Sequence, residues 1–194
     1  MENINAHEII WTYEKVSRFW NYVSRNKLHD DLYFTKMVGA QVVKYLDKKV
    51  NLQNKTILDY GSGPGYLFEH LAKLKKKIYY HALDFSNDSI TALQKKYGNN
   101  ESFVKAHFIN TFPTNISDRF DIIASLEVIE HLDDEKLTSM IVEIKTLLKK
   151  DGYVFITTPN DENLDASKIY CPDCGCVFHR WQHMRSWNAT SLEG

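Results

Sequence analysis

Asp59-Tyr60-Gly61-Ser62-Gly63-Pro64-Gly65 sets three glycines at alternate positions behind an acid. Such a stretch lets the backbone turn sharply and approach a ligand with no Cβ in the way. The dinucleotide fingerprint G-x-G-x-x-G is not met, because its sixth position counted from Gly61 is Tyr66, and the lysine of a phosphate-binding P-loop is missing. Asp84 stands about 20 residues beyond the turn, where nucleotide-binding folds place the acid that grips a ribose diol. Taken alone, the stretch reads equally well as a tight turn with Asp59 and Asp84 capping strand ends. The elements around it decide between the two.

Two further clusters carry chemistry. Glu127-Val128-Ile129-Glu130-His131-Leu132 puts two carboxylates and an imidazole within five residues. Glu130 or His131 is the expected general base, or Glu127, Glu130 and His131 bind one divalent ion such as Mg²⁺ or Mn²⁺, with His183 as a fourth ligand. The bland alternative has Glu127 capping a helix, Glu130 solvated and His131 packed on a sheet. Further on, Cys171, Cys174, His179 and His183 follow the spacing C-x₂-C-x₄-H-x₃-H, which suits tetrahedral Zn²⁺. The competing reading is a reduced thiol patch. His183 cannot serve both metals; if Cys176 completes the zinc set, His183 is free for the loop after Leu126. Arg180, Trp181, Arg185 and Trp187 interleave base and aromatic, which suits stacking on a nucleobase or sugar but is better explained by local packing.

Periodicity supplies the elements that must position these groups. Ile9, Tyr13, Val16, Trp20 and Val23 share one helical face, and Asp31 can cap a second helix through Phe34, Val38, Val42 and Leu46. Short β-rich runs then alternate with helical ones. Strands are expected at 56–59, 78–83, 103–109, 120–125 and 153–158, with helices between them through Leu67, Leu71 and Leu74, through Ile90 and Leu93, and through Leu137 to Leu148. This alternation implies an α/β fold with a doubly wound, mostly parallel sheet. The expected organisation is an N-terminal helical lid over residues 1–50, a ligand-binding core over 51–160 and a Cys/His-rich appended segment over 161–194.

Composition sets the outer limits. The 194 residues carry 24 Lys+Arg against 25 Asp+Glu, a net charge of −1, with 43% hydrophobic and 25% charged residues. These values exclude a chain disordered throughout, a collagen-like chain and a strongly basic nucleic-acid arm. No apolar run approaches the ~20 residues of a membrane span. The N-terminus lacks the pattern of a signal peptide. Three clustered cysteines make a poor disulfide framework, so a reducing, cytoplasmic setting is expected.

The strand–glycine turn–helix, Asp84 and the later strands together resemble the class I S-adenosylmethionine-dependent methyltransferases over roughly residues 50–160. The resemblance implies a Rossmann-like fold. It implies that Asp59, Tyr60, Gly61, Ser62, Gly63 and Gly65 form the cofactor loop, that Asp84 binds the ribose, and that Phe85 and Asn110 lie at the adenine. Phe120 to Glu127, including Leu126, matches the fourth-strand motif, and Leu147 to Ile156 the turn into strand five. Glu127, Glu130 and His131 match ubiquinone-pathway O-methyltransferases, which act on catechols. Together with Thr158 to Asn163 and Gln182 to Trp187, they are also similar to small-RNA 3′-end 2′-O-methyltransferases, which use Glu, Glu, His and His to hold a metal against a ribose diol. The family's sheet normally gains two further strands after the fifth; residues 160–194 do not read as that pair, and the end of the chain reads as the start of a further helix, as in a shortened chain. The function implied is transfer of a methyl group from S-adenosylmethionine to an O or N nucleophile of a small molecule. Two alternatives are metal-assisted 2′-O-methylation of RNA 3′ ends, which the net charge disfavours, and a non-catalytic module that docks a protein partner.

Overall fold

The computed structural model describes residues 5–109 and 111–193. Five strands form its central sheet: β2 (Thr56–Tyr60), β3 (Tyr79–Asp84), β4 (Phe103–Phe108), β5 (Phe120–Leu126) and β6 (Leu148–Thr157). β1 is a separate two-residue strand, His7–Glu8. The order in the sheet is β4-β3-β2-β5-β6 and every neighbouring pair is parallel. The chain therefore winds outward from β2 through β4, then returns to the other side of β2. That reversal lies between β2 and β5, and ligands of open α/β sheets bind beyond the carboxyl ends of the strands at such a point. The glycine turn leaves β2 and the Glu127 loop leaves β5, so the topology sets the two motifs side by side.

The central strands are apolar on both faces because helices cover both. Ile57, Leu58, Ile122 and Ile123 are fully buried. One face packs against α2 (Phe34–Val50), α3 (Tyr66–Leu71) and α4 (Asn87–Tyr97) through Val42, Leu67, Phe68 and Leu93. The other packs against α5 (Asp134–Leu147) through Met140, Ile144 and Leu147. Asp133 caps α5 and Ser86 caps α4, each accepting from the backbone N–H three residues on. β6 forms one sheet edge, and Tyr153 is 56% exposed there. Among the described residues no helix is long and apolar enough to cross a membrane.

The ends of the chain differ from the sequence expectation. Helix α1 runs Tyr13–Arg25, starting after Thr12, whose side chain accepts from Lys15 N–H. Ile9 lies before it and donates its N–H to Val177 O at 3.0 Å. Asp31 does not cap α2. It sits in a 3-10 turn, Lys27–Leu32, started by the Asn26 side chain, and Tyr33 precedes α2 instead. The segment after residue 160 holds a hairpin of β7 (Lys168–Tyr170) and β8 (Cys176–His179), and β1 pairs parallel to β8. Those strands are too short to show period-two patterning, and their partner lies at the far end of the sequence.

Glu143 of α5 is the polar tie within the second core. It is 5% exposed and accepts from Tyr60 Oη at 2.9 Å and from Thr114 N and Oγ1 at 2.5 Å each. Replacing Glu143 by Ala leaves the buried Tyr60 hydroxyl and the two half-buried Thr114 donors without that acceptor. The unfolding free energy in urea should drop by about 3 kcal/mol; an unchanged midpoint would contradict the tie.

Candidate active site

The glycine turn is held from β3. Gly61 and Ser62 donate their N–H groups to Leu83 O at 2.7 and 3.0 Å. Asp84 Oδ2 accepts from Gly63 N–H and Oδ1 from Ser86 N–H, both at 2.7 Å. Gly61 has φ +83°, and a Cβ there would collide with the Val128 side chain of the neighbouring loop. The glycine is therefore required by both conformation and space. Asp84 stands half-buried at the wall of a cavity, and burial raises its carboxyl to about 6 against the pull of its backbone N–H donors.

Beyond β5 the chain enters a strained turn: Glu127 has φ +56° and donates its N–H to Thr157 O at 3.0 Å. A short 3-10 turn, Ile129–His131, follows. Glu130 is 1% exposed; its Oε2 accepts from Thr158 Oγ1 at 3.0 Å, while its Oε1 is buried without a hydrogen-bond partner. Burial and the carboxylates of Glu127 and Glu162 push Glu130 up to about 8. Burial, with neighbouring His183, pushes His131 down to about 3. His183 comes from the C-terminal segment: its ring lies 4.8 Å from that of His131, and its Nδ1 sits 2.5 Å from Glu162 Oε2. Ligand atoms of Glu130, His131 and His183 lie within 4.8 Å of one another, as do those of Glu162, His179 and His183.

Both motifs open into one cavity of about 460 Å³. Its roof is the N-terminal helix. Trp20 Nε1 donates to Gln182 Oε1 at 2.9 Å, and Gln182 Nε2 donates to His131 O at 2.9 Å. Ser86 Oγ, one turn from Asp84, donates to Asn21 Oδ1 at 2.8 Å. The two ends of the chain and the sheet thus close one space between them.

A profile of the family described as methyltransferase domain matches residues 34–194. The chain belongs to this methyltransferase domain family. Curated relatives include the ubiquinone biosynthesis O-methyltransferases of Glaesserella parasuis, 29% identical over 172 residues, and Paraburkholderia phymatum, 28% over 166. Each match takes in 82% of this chain, which spans just 66% of either relative's length. Among solved structures, a DhpI–SAM–HEP complex is similar, with TM-score 0.66 and 17% identity over 95% of this chain and 87% of that one. This likeness shows the class I methyltransferase fold.

Within that fold, Gly61, Ser62, Gly63, Asp84, Phe85 and Leu126 line the cavity, together with Glu127, Glu130, His131 and His183. Asp59, Tyr60 and Gly65, expected at the ligand, do not line it. Asp59 is buried and accepts from Tyr80 Oη at 2.6 Å, Tyr60 faces Glu143, and Gly65 packs against Leu93. They shape the turn from behind. Asn110 lies outside the described residues.

The proposed ligand sets need correction. Glu127 is near the acid–imidazole cluster but does not belong to the compact Glu130, His131, His183 group. The Cys171, Cys174, His179, His183 set does not assemble: both histidines gather around Glu162, while Cys176 Sγ lies 3.2 Å from His7 Nε2. The reason is the β7–β8 hairpin, which keeps its cysteine turn at one end and His179 at the other. Arg185 packs locally, donating to Leu132 O at 3.0 Å and covering the Trp187 ring. Glu162 and Gln182 fall within the stretches Thr158 to Asn163 and Gln182 to Trp187 that carry the RNA-methyltransferase similarity, but neither has local periodicity or spacing that marks it as a site residue. Gly61→Ala should destabilise the protein by about 2 kcal/mol, and Val128→Ala in the same chain should recover part of it. Purely additive effects in the double-mutant cycle would refute the crowding.

Proposed function

We propose that this chain transfers the methyl group of S-adenosylmethionine to a hydroxyl oxygen of a small-molecule acceptor. The observation that carries the reading is the single cavity shared by the glycine turn with Asp84 and the cluster of Glu130, His131 and His183. The family match and the O-methyltransferase relatives support it. The net charge of −1 and those relatives do not favour an RNA acceptor. A cavity lined by unpartnered acid and imidazole groups does not favour a non-catalytic docking module.

The residues fit the cofactor. S-adenosylmethionine supplies a methyl group already activated on its sulfonium. The Asp84 oxygens accept from Gly63 and Ser86 N–H, and a carboxylate offers about four acceptor sites, so acceptor capacity remains for ribose hydroxyls. Gly61 and Gly63 let the backbone approach with no side chain between. Trp11, Trp20 and Trp181 line the same cavity, exclude water and offer flat apolar surface to an acceptor ring. Most of the rate gain then comes from holding the acceptor oxygen in line with the methyl group.

On the acceptor side, Glu130, His131 and His183 receive the hydroxyl and its proton. Glu162 orients His183 through Nδ1, which leaves Nε2 as its remaining ring nitrogen. The same three residues, one carboxylate and two imidazoles, fit a divalent cation such as Mn²⁺ or Zn²⁺ better than the Mg²⁺ that the sequence also suggested. Glu130 Oε1 and His131 Nδ1 are buried without partners, and among the described residues no lysine or arginine pairs with Glu127, Glu130 or Glu162. Glu162 would then stand behind His183 as the outer carboxylate that orients a metal-bound imidazole. A cation there would lower the pKa of the acceptor hydroxyl.

Calorimetry with S-adenosylhomocysteine should show binding at neutral pH, weakened roughly tenfold in Asp84→Ala. Asp84 must be ionised to accept ribose hydroxyls. Affinity should therefore fall as the pH drops through about 6, where burial has raised its carboxyl. Wild-type protein with no heat of binding would end the reading. Glu130→Gln and His183→Gln should slow labelled-methyl transfer to a catechol by about 10²-fold while leaving S-adenosylhomocysteine affinity intact. Unchanged transfer would remove both residues from the chemistry.

A further inference from the structure

We infer that His81, His107 and Asp118 form a second site, for a first-row divalent metal ion of the zinc class, beside Phe120 on the α5 face of the sheet and outside the methyl-transfer cavity. His81 is the third residue of β3 and His107 the fifth of β4. Asp118 lies on the connection that leads into β5, which crosses that face of the sheet without a helix of its own. None of the three lines the cavity described above.

The geometry matches coordination. His81 Nδ1 and His107 Nε2 face each other at 3.3 Å, with ring planes 12° apart. Two nitrogens bound tetrahedrally to zinc at ~2.0–2.1 Å are themselves ~3.3 Å apart. Asp118 places a carboxylate oxygen within 4.8 Å of both nitrogens. His81 is 5% exposed, packed edge-on against Phe120 at 5.1 Å, and so cannot turn to water. Burial lowers both imidazoles, His107 to about 4. A hydrogen bond between the rings would occupy the two facing nitrogens but gives Asp118 no role.

Two imidazoles and one carboxylate suit Zn²⁺ and its Irving–Williams neighbours, whereas Mg²⁺ and Ca²⁺ prefer all-oxygen shells. Exposed Lys105 lies two residues before His107 on β4; its charge opposes a cation and that of Asp118 offsets it. Asp118 is exposed, so an ion and water can reach the remaining coordination positions. A bound ion would fasten β3 and β4 to the connection that carries Phe112. That ring lies 5.8 Å from Phe85 on the cavity wall.

The test is equilibrium dialysis of the metal-stripped full chain against Zn²⁺, with Co²⁺ absorption as a second reading of coordination. Wild type, His107→Gln, Asp118→Asn and His183→Gln are compared. Asp118→Asn changes only an exposed side chain, so it stays interpretable if His107→Gln folds poorly. We expect His107→Gln and Asp118→Asn each to weaken one zinc equivalent roughly tenfold or more, and to abolish its rise in unfolding temperature. His183→Gln should retain that equivalent, which keeps this site distinct from the acceptor cluster. Wild type that binds no zinc beyond what His183→Gln removes, or zinc binding that survives both His107→Gln and Asp118→Asn, would overturn the proposal.

Discussion

The double acceptance at Asp84 is the constraint on which the site depends. One carboxylate takes the N–H of Gly63 and the N–H of Ser86, and so joins the loop after β2 to the start of α4. Both donors are backbone groups of loops, which have no ladder to satisfy them. With Leu83 O receiving Gly61 and Ser62, the turn is fixed at three points from β3 alone. Gly61 and Gly63 present bare backbone to the cavity, with the Val128 side chain and the Tyr33 ring packed beside them. Asp84 does this while half-buried at the cavity wall, where burial raises its carboxyl.

The opposite wall follows different physics. Glu130, His131, His179, His183 and Glu162 are gathered with no lysine or arginine ion-paired to their carboxylates among the described residues. Desolvation drives the acid up and the imidazole down, as expected of charged forms denied water. Such an arrangement is costly to fold and is typical of sites that reserve proton affinity for a reacting group. Gln182 makes it cohere. Fully buried, and in a left-handed conformation, it bridges Trp20 of α1 to the backbone of His131. Movement of α1 and order in the acceptor wall are thereby coupled through two hydrogen bonds.

The core was legible in the sequence because its signals are local. Ile57 to Asp59 and Ile122 to Ala124 read as strands from their apolar runs, whereas the caps were not read: Asp31 does not cap α2, and Ser86 and Asp133 cap α4 and α5. The glycine turn and Asp84 were legible as a pair because a parallel sheet fixes how far apart they fall. What local signals could not reach was long-range. β1 has two residues, and its partner β8 lies about 170 residues away. Glu162 joins His179 and His183 where the chain folds back and Asn160 and Trp187 bridge in parallel. The cysteine spacing suggested zinc with those histidines, yet hairpin register sent the two ends of the motif apart. Asp59 looked like a ligand contact and is instead a buried acceptor for Tyr80, since its partner is set by sheet register.

A crystal structure of the chain grown with S-adenosylhomocysteine tests the account at its centre. The account predicts the ribose hydroxyls on the carboxylate of Asp84 and the sulfur directed toward Glu130 and His183. An adenosyl group bound elsewhere on the sheet, with the space before Gly61 and Gly63 empty at saturating ligand, would contradict it.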